Sequence, residues 1–292
     1  MEQFNENSRP FQKQVFRYTI IAFVIVLLGV NALVYFSGAA GMTNAVKSSL
    51  KIIAGNIAEN VSYSTHEDII SNDQRESRKY LEIKEYFQHV MDGNPRINDI
   101  YTLRPTSNPD IMTFVVSGQE TFDANNDNFI DVTEISPEVG EEYDVTGLED
   151  LKNGLNGPSV DRSFTTDKWG RWISGYAPIL NDDGVTVALL GVDEAASELV
   201  DRKNSLLIAL MYIDLILLPL MIFVAIFMAR SVSKPFRILA KGMQRVSHGE
   251  LNYKLPISEK GPQAIFASLF NSMIDMFENA KDHEKKHHDF NE

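Results

Sequence analysis

Two apolar stretches set the architecture of this chain: YTIIAFVIVLLGVNALVYF, residues 18–36, and LLIALMYIDLILLPLMIFVAIFM, residues 206–228. Each reaches the roughly 20 residues that an α-helix needs to cross a bilayer, and a chain in hydrocarbon must be helical to satisfy its own backbone. The sequence therefore predicts a membrane protein with two transmembrane helices, residues 18–37 and 205–229.

Basic residues lie on the same side of both spans. Three precede the first span and four follow the second: Arg9, Lys13 and Arg17, then Arg230, Lys234, Arg237 and Lys241. Because basic flanks stay on the cytoplasmic side, we expect both termini in the cytoplasm and residues 38–204 outside the cell membrane.

A cleaved signal peptide is the alternative for the first span, since small residues follow it at 37–40. Its apolar run exceeds the roughly 7–15 residues of a signal core, which favours an uncleaved anchor.

The segment between the spans is strongly acidic. Residues 38–204 contain 14 Lys and Arg and 29 Asp and Glu, whereas the whole chain has 27 and 40. This charge argues against a nucleic-acid partner and suits cations or small polar solutes. The chain has no cysteine, so a hydrophobic core rather than disulfides must stabilise the segment.

Helix and strand signals alternate along the external segment. An apolar stripe at Val46, Leu50, Ile53, Ile57 and Val61 continues the first helix beyond the membrane, and it suits either a core contact or a dimer seam. A charged helical stretch follows at residues 66–90, then two strands at 97–103 and 111–117. A short helix is predicted at 148–155. Residues 172–180 and 185–192, joined by Asn-Asp-Asp-Gly, form the clearest hairpin signal. The order predicts an α+β domain with helices packed on an antiparallel sheet.

The second half of this segment resembles the extracellular Cache sensor domains of prokaryotic receptors, which have a PAS-like fold. The residues that carry the resemblance are Gly157-Pro158, Thr166-Asp167-Lys168-Trp169-Gly170, Ser174-Gly175-Tyr176-Ala177-Pro178-Ile179, Asp183-Gly184 and Gly191-Val192-Asp193. The resemblance implies a PAS-like sheet behind a long N-terminal helix and a small-molecule pocket on one face, often for carboxylates or amino acids.

Four residues are candidates for this ligand pocket. Trp172 and Tyr176 lie four apart on one strand and so share a face, and Asp193 ends the next strand, where it could bind an amine. Arg104 ends an earlier strand and could bind a carboxylate through its forked guanidinium. The alternative is that the aromatics belong to the core and the charges are solvated strand ends.

The loop of residues 123–134 has the spacing of a calcium site. Oxygen side chains stand at positions 1, 3, 5, 9 and 12, and position 7 supplies a carbonyl: Asp123, Asn125, Asp127, Asp131, Glu134 and Phe129. Asn128 replaces the usual glycine at position 6 but accepts a positive φ. We expect an EF-hand-like loop inserted in the sensor domain with a structural Ca²⁺; an Asx-rich turn without metal is the alternative.

The cytoplasmic segment carries two apolar repeats. One is Val232, Phe236, Leu239, Met243 and Val246, and the other is Phe266, Phe270, Met273 and Phe277, with a connector of about 14 residues between them. With Pro235, Gly249-Glu250-Leu251 and Phe270-Asn271-Ser272-Met273, residues 230–282 resemble a HAMP domain. The resemblance implies a parallel four-helix bundle formed by a homodimer, in which Leu239 and Phe270 lie near their symmetry mates or against each other.

Taken together, these patterns predict a homodimeric two-span receptor that binds an extracellular amine or carboxylate. It would signal through HAMP to a cytoplasmic partner or to an output domain of kinase, cyclase or chemoreceptor type. The segments are cytoplasmic residues 1–17, the spans, the sensor domain 38–204, HAMP 230–282 and a tail 283–292. We expect no catalytic domain and no nucleic-acid partner. The alternative is a calcium-dependent cell-surface adhesion protein whose tail is a dimerising anchor.

Overall fold

The computed structural model describes residues 2–121, 123, 127–256 and 262–289, without the side chains of 2–10, 262–263 and 281–289. The chain forms two compact units, a sheet unit of residues 34–209 and a helical unit of residues 1–33 and 210–292. The α-helices are α1 (Glu2–Asn60), α2 (Tyr63–Glu67), α3 (Arg78–Gly93), α4 (Glu149–Asn153), α5 (Ala196–Ser247) and α6 (Pro262–Asp289). Short 3₁₀ turns cover Asn72–Glu76 and Gly154–Asn156.

The strand pairs of the sheet are antiparallel, in the order β3-β2-β1-β7-β6-β4, with β5 also paired to β6. Its strands are β1 (Ile97–Pro105), β2 (Ile111–Ser117), β3 (Glu142–Asp144), β4 (Ser159–Val160), β5 (Thr165–Thr166), β6 (Arg171–Leu180) and β7 (Thr186–Ala195). The predicted α+β class, with an antiparallel sheet and helices against it, is confirmed.

One face of the sheet forms the main core with α1 and α3. The stripe from Val46 to Val61 packs into this core, so within the sheet unit it is a core contact. Gly175 on β6 is required there, because an added Cβ would lie 2.5 Å from the carbonyl oxygen of Leu50. The helix backbone thus rests directly on the strand.

The opposite face of the sheet holds a smaller, more aromatic core. Its buried members are Tyr101, Leu103, Met112, Phe114, Val145, Leu151, Tyr176 and Leu189. Alternation along the strands separates the two faces: on β1, Ile100 belongs to the first core while Tyr101 and Leu103 belong to the second. Alternate residues of a strand therefore contribute to the cores on opposite faces of the sheet.

The single helix predicted at residues 66–90 is wrong, because the structure has α2, a 3₁₀ turn and α3 there. Ser71 forms a capping box with Gln74, and the Ser77 hydroxyl accepts a hydrogen bond from the Tyr80 N–H at 3.2 Å. Each cap starts a new helical turn by satisfying free backbone donors. The predicted strands 97–103, 111–117, 172–180 and 185–192 agree with β1, β2, β6 and β7.

Two helices of the described residues are long and apolar enough to cross a membrane. They are Phe11–Asn60 and Ala196–Ser247, with mean hydropathy of 2.5 and 2.6 in their most apolar windows. Both predicted spans lie within them. Pro219 and Pro235 are accommodated inside α5, which remains one helix.

In the helical unit, α5 and α6 pack through a small apolar cluster. Its buried members are Leu255, Ala267, Phe270 and Ile274, and Leu239 packs against them. Leu239 and Phe270 thus belong to one intrachain cluster, the second of the two arrangements expected for them. The connector is fixed by Asn271, whose amide accepts from the Leu255 N–H at 2.7 Å and donates to the Leu255 carbonyl at 2.9 Å.

Candidate ligand cavity

The sheet unit contains a cavity of about 420 Å³ on the sheet face that carries Tyr101. This volume lies within the range of small-molecule sites, roughly 300–1,000 Å³. Five aromatic rings and four carboxyl groups line it: Tyr101, Phe114, Tyr143, Trp169 and Trp172, with Asp99, Glu134, Asp167 and Asp193. The other lining residues are Asn98, Gln119, Thr133 and Pro137.

Two of the carboxyl groups lie side by side. Asp99 on β1 is paired directly with Asp193 on β7, so their side chains emerge on the same face. Burial raises the pKa of Asp99 to about 7, although its carboxylate accepts hydrogen bonds from the Ser117 hydroxyl at 2.9 Å and the Gln119 N–H at 3.0 Å. Burial also raises the pKa of Asp193 well above its usual value, and the charge of Asp99 adds to that shift.

Tyr101 holds the buried carboxylate of Asp193 in place. Its hydroxyl donates to Asp193 Oδ1 at 3.3 Å, and burial raises the pKa of Tyr101 well above its usual value. Gly191 makes this possible, because a Cβ there would lie 2.4 Å from the Tyr101 ring. Because Gly191 has no side chain, the Tyr101 ring can lie across β7, and its hydroxyl reaches Asp193, two residues further along the strand.

Asp167 organises the aromatic wall. Its Oδ1 accepts from the Trp172 indole N–H at 3.0 Å and the Trp169 main-chain N–H at 2.9 Å. Its Oδ2 accepts from the Tyr143 hydroxyl at 3.2 Å, and burial raises the pKa of this tyrosine. One carboxylate therefore fixes three aromatic residues, and its hydrogen-bonding capacity is largely used in doing so.

The rings also pack against one another. Phe114 makes edge contacts with Tyr143 and Trp169, with ring centroids 5.3 Å and 5.2 Å apart. The Trp169 indole donates to the carbonyl of Ile135 at 2.7 Å, next to Glu134. The cavity thus has a rigid aromatic side whose position is tied to the end of the loop 123–134.

The four pocket residues expected from the sequence are not all in the cavity. Trp172 and Asp193 line it. Tyr176 is buried beside it, and its hydroxyl lies 3.4 Å from Oδ2 of Asp161, whose pKa burial raises to about 6.

Arg104 is placed on the other face of the sheet. Its guanidinium donates to the carbonyls of Ile69 and His66, both at 3.1 Å. The assignment of Arg104 to the pocket is therefore corrected. It follows Leu103 on β1, so strand alternation turns it away from the cavity and toward α2.

Sequence reasoning missed the second aspartate of the cavity. Asp99 lies in a β1 run that reads as an ordinary strand, and only the pairing of β1 with β7 brings it beside Asp193. The sequence signal that could have identified Asp99 is its charge, which stands between the apolar residues of a predicted strand. Trp169, Tyr143 and Phe114 were missed because they come from three distant parts of the chain.

The loop 123–134 has part of the predicted geometry. Asn128 has φ +71°, as expected for the sharp turn at position 6. The carboxylate of Asp123 accepts from the main-chain N–H of Asp127 at 3.1 Å and of Asn128 at 2.8 Å. Asn125 lies outside the described residues. In the part of the chain that is described, no group of three or more acidic or histidine side chains converges as a metal site, so calcium binding stays a prediction.

Residues 227–261 match the HAMP domain family. The chain thus carries a HAMP domain, and the match overlaps residues 230–261 of the segment that resembles one. A probable methyl-accepting chemotaxis protein of Bacillus thuringiensis subsp. konkukian is 31% identical over 112 residues, which are 38% of this chain and 19% of that protein. The chain therefore covers about a fifth of the length of this relative.

Solved sensory domains are also similar to this chain. The periplasmic sensory domain of the Campylobacter jejuni chemoreceptor Tlp1 matches with a TM-score of 0.36 and 12% identity, covering 56% of this chain and 59% of that one. The ligand-binding domain of C. jejuni Tlp3 in complex with L-valine matches with a TM-score of 0.32 and 15% identity, covering 65% and 64%.

Proposed function

We propose that this chain is the sensory and membrane-relay part of a transmembrane receptor that binds a small molecule outside the cell. The HAMP domain and the two apolar helices support a relay, and the 420 Å³ cavity supports ligand binding. The HAMP match also favours a relay over a simple adhesion anchor. The proposed topology has both termini in the cytoplasm and a Cache-like sensor domain outside.

The observation that carries this proposal is the continuity of the chain from the cavity to the HAMP domain. Asp193 lines the cavity on β7, the strand ends at Ala195, and α5 begins at Ala196. The same helix contains the second apolar span and continues to Ser247, inside the HAMP match.

We propose that the receptor is a homodimer through its HAMP helices. In a single chain, large apolar residues of both repeats remain exposed: Phe236 49%, Met243 57%, Phe266 44% and Phe277 50%. Exposed apolar side chains at coiled-coil spacing in a charged segment need a partner helix. A second copy of the chain would supply two such helices.

Calcium is proposed as a structural ion of the loop 123–134. Asp123, Asp127, Asp131 and Glu134 would supply carboxylate oxygens, and Asn128 already has the required turn conformation. A bound Ca²⁺ would offset the repulsion among these acids and fix the loop that borders the cavity at Thr133 and Glu134.

The receptor proposal is tested with the full chain in lipid nanodiscs. Met243→Cys, a cysteine on the exposed apolar repeat, reports subunit crosslinking, while calorimetry on the same samples reports solute binding. We expect a solute that binds to change the rate of crosslinking, with Lys241→Cys as the matched polar position. Solutes that bind without changing crosslinking at position 243 would contradict the relay.

A further inference from the structure

The lining of the cavity has charges of one sign. It contains four carboxyl groups, and none of its lining residues is a lysine, arginine or histidine. The described lining therefore offers no cationic side chain that could pair with a ligand carboxylate.

Two cations on the same unit are already engaged elsewhere. Arg104 donates to main-chain carbonyls on the other sheet face. Lys168 forms an ion pair with Glu141 and places its Nζ 4.3 Å from the centre of the Trp169 ring. Neither residue lines the cavity.

The paired aspartates are the strongest indication of what the cavity binds. Like charges directly opposite each other in an antiparallel sheet are destabilising. Asp99 accepts hydrogen bonds from Ser117, Gln119 and the N–H of Ile100, whereas Asp193 accepts one from the Tyr101 hydroxyl at 3.3 Å and one from Ser174. Asp193 is 6% exposed. A cationic donor beside Asp193 would compensate both carboxylates.

We propose, on the basis of the sensory function above, that this cavity takes an organic ammonium ion that carries no carboxylate. Its N–H groups donate to Asp193 and are attracted by Asp99, since hydrogen bonds between an ammonium and a carboxylate are among the strongest in proteins. Its carbon skeleton lies among Trp172, Trp169 and Phe114, whose ring faces also attract cations. An amino acid would place its carboxylate against an acidic lining and is disfavoured.

The test uses pairs of compounds that differ by one carboxylate. Isobutylamine is compared with L-valine, phenethylamine with L-phenylalanine, and 1,5-diaminopentane with L-lysine, by calorimetry on the full chain in nanodiscs. We expect at least one amine to bind and to do so ten-fold or more tightly than its amino acid. Tighter binding of the amino acid in the pairs that bind, or no binding by any amine, overturns the proposal.

Two amino-acid substitutions then test whether Asp193 binds the amine. Asp193→Asn should weaken the bound amine ten-fold or more, because it removes the charge while keeping the shape. Asp183→Asn, an exposed aspartate in the turn between β6 and β7, is the matched control and should leave affinity unchanged. Unchanged affinity in Asp193→Asn overturns the assignment. The wild-type comparison of paired compounds needs no variant, so it holds even if Asp193→Asn fails to fold.

If amino acids bind more tightly than their amines and change the crosslinking of Met243→Cys, the relay stands and the ammonium assignment is wrong. If amines bind in an Asp193-dependent manner but crosslinking does not respond, the ligand class stands and the relay is wrong.

Discussion

The side-chain amide of Asn31 donates a hydrogen bond to Oδ2 of Asp214 at 2.7 Å, between the two apolar helices. Asp214 lies inside the second apolar stretch, and its hydrogen-bond partner belongs to the same chain. The other oxygen, Oδ1, is buried and has no hydrogen-bond partner among the described residues. Because polar groups are costly in hydrocarbon, this pair fixes which faces of the two helices meet.

Removing one member of this pair should destabilise the helix pair. Asn31→Leu leaves Asp214 without its donor, and we expect the coupling energy of the pair to be about 0.6 kcal/mol, the average for hydrogen bonds between membrane helices, and at most about 1.7 kcal/mol. Asp214→Leu and the double variant complete a double-mutant cycle, measured by unfolding in mixed micelles. Additive effects of the two substitutions would show that the pair contributes no coupling energy.

Calcium should stabilise the folded chain. At ten times its dissociation constant, a metal that binds only the folded state adds about 1.4 kcal/mol, and external loops of this kind bind at roughly 10⁻⁴ to 10⁻³ M. The melting temperature, followed by tryptophan fluorescence, should rise between chelator and millimolar Ca²⁺. Glu134→Gln should abolish the rise and Glu138→Gln, outside the loop, should not. Equal melting temperatures in chelator and calcium would exclude the site.

The contribution of Asp99 to the stability of the sheet unit should fall as the pH rises from about 4 to about 7. The pKa of Asp99 is raised to about 7 from 3.8, so in this window the folded state binds more protons at this group than the unfolded state, and its advantage is lost as pH rises. Asp161 and Asp193 act in the same direction, whereas His66, whose pKa burial lowers to about 3, acts in the opposite direction. Asp99→Asn should remove the contribution of Asp99, since an amide oxygen accepts the same main-chain N–H groups.

This comparison is made by denaturant unfolding at several pH values. Asp183→Asn serves as the control because it is exposed and lies in a turn. An identical pH slope for Asp99→Asn and the unaltered chain would mean that Asp99 ionises in the folded protein as it does in the unfolded one.

The HAMP connector should depend on Asn271. Asn271→Ala removes both hydrogen bonds to the main chain of Leu255, which is 4% exposed, and should cost about 1–2 kcal/mol. Hydrogen exchange of the Leu255 amide should become faster by ten-fold or more. Ser272→Ala, one residue away and exposed, is the matched control. Protection that is the same in all three proteins would argue that the side-chain contact contributes nothing.

The dimer should be visible by disulfide crosslinking, because these 292 residues contain no cysteine. Met243→Cys lies on the exposed apolar repeat and should crosslink between subunits in membranes. Lys241→Cys, two residues away on a polar position, should crosslink far less. Similar yields at both positions would show that the helices do not pack along this face.

The parts of the fold that sequence predicted well are those with a local signal. The long strands carry β-rich runs, and Asn181 caps the turn between β6 and β7 through hydrogen bonds to Asp183 and Val185. Strands β3, β4 and β5 have only two or three residues and exist because longer strands lie beside them. No periodicity can be read from so few residues.

The cavity was predicted in part for the same reason. Trp172 and Asp193 follow from one hairpin, whose register can be inferred from its turn. Asp99 depends on the pairing of β1 with β7, two strands that are far apart in the sequence. Arg104 was predicted wrongly for a related reason. Its residue type suggested that it binds a ligand carboxylate, but side chains alternate along β1, and Arg104 lies on the opposite face of the sheet.

The direct passage from Ala195 at the end of β7 to Ala196 at the start of α5 leaves no loop between the strand and the helix. Each residue of an α-helix turns the chain by about 100°, so the position of a residue in α5 decides on which face of that helix it lies. Asp214 and Phe236 both belong to the part of α5 in the helical unit. Inserting one residue between them would turn the face that carries Phe236 by about 100° relative to Asp214, whereas inserting seven would return it to within about 20° of its original phase.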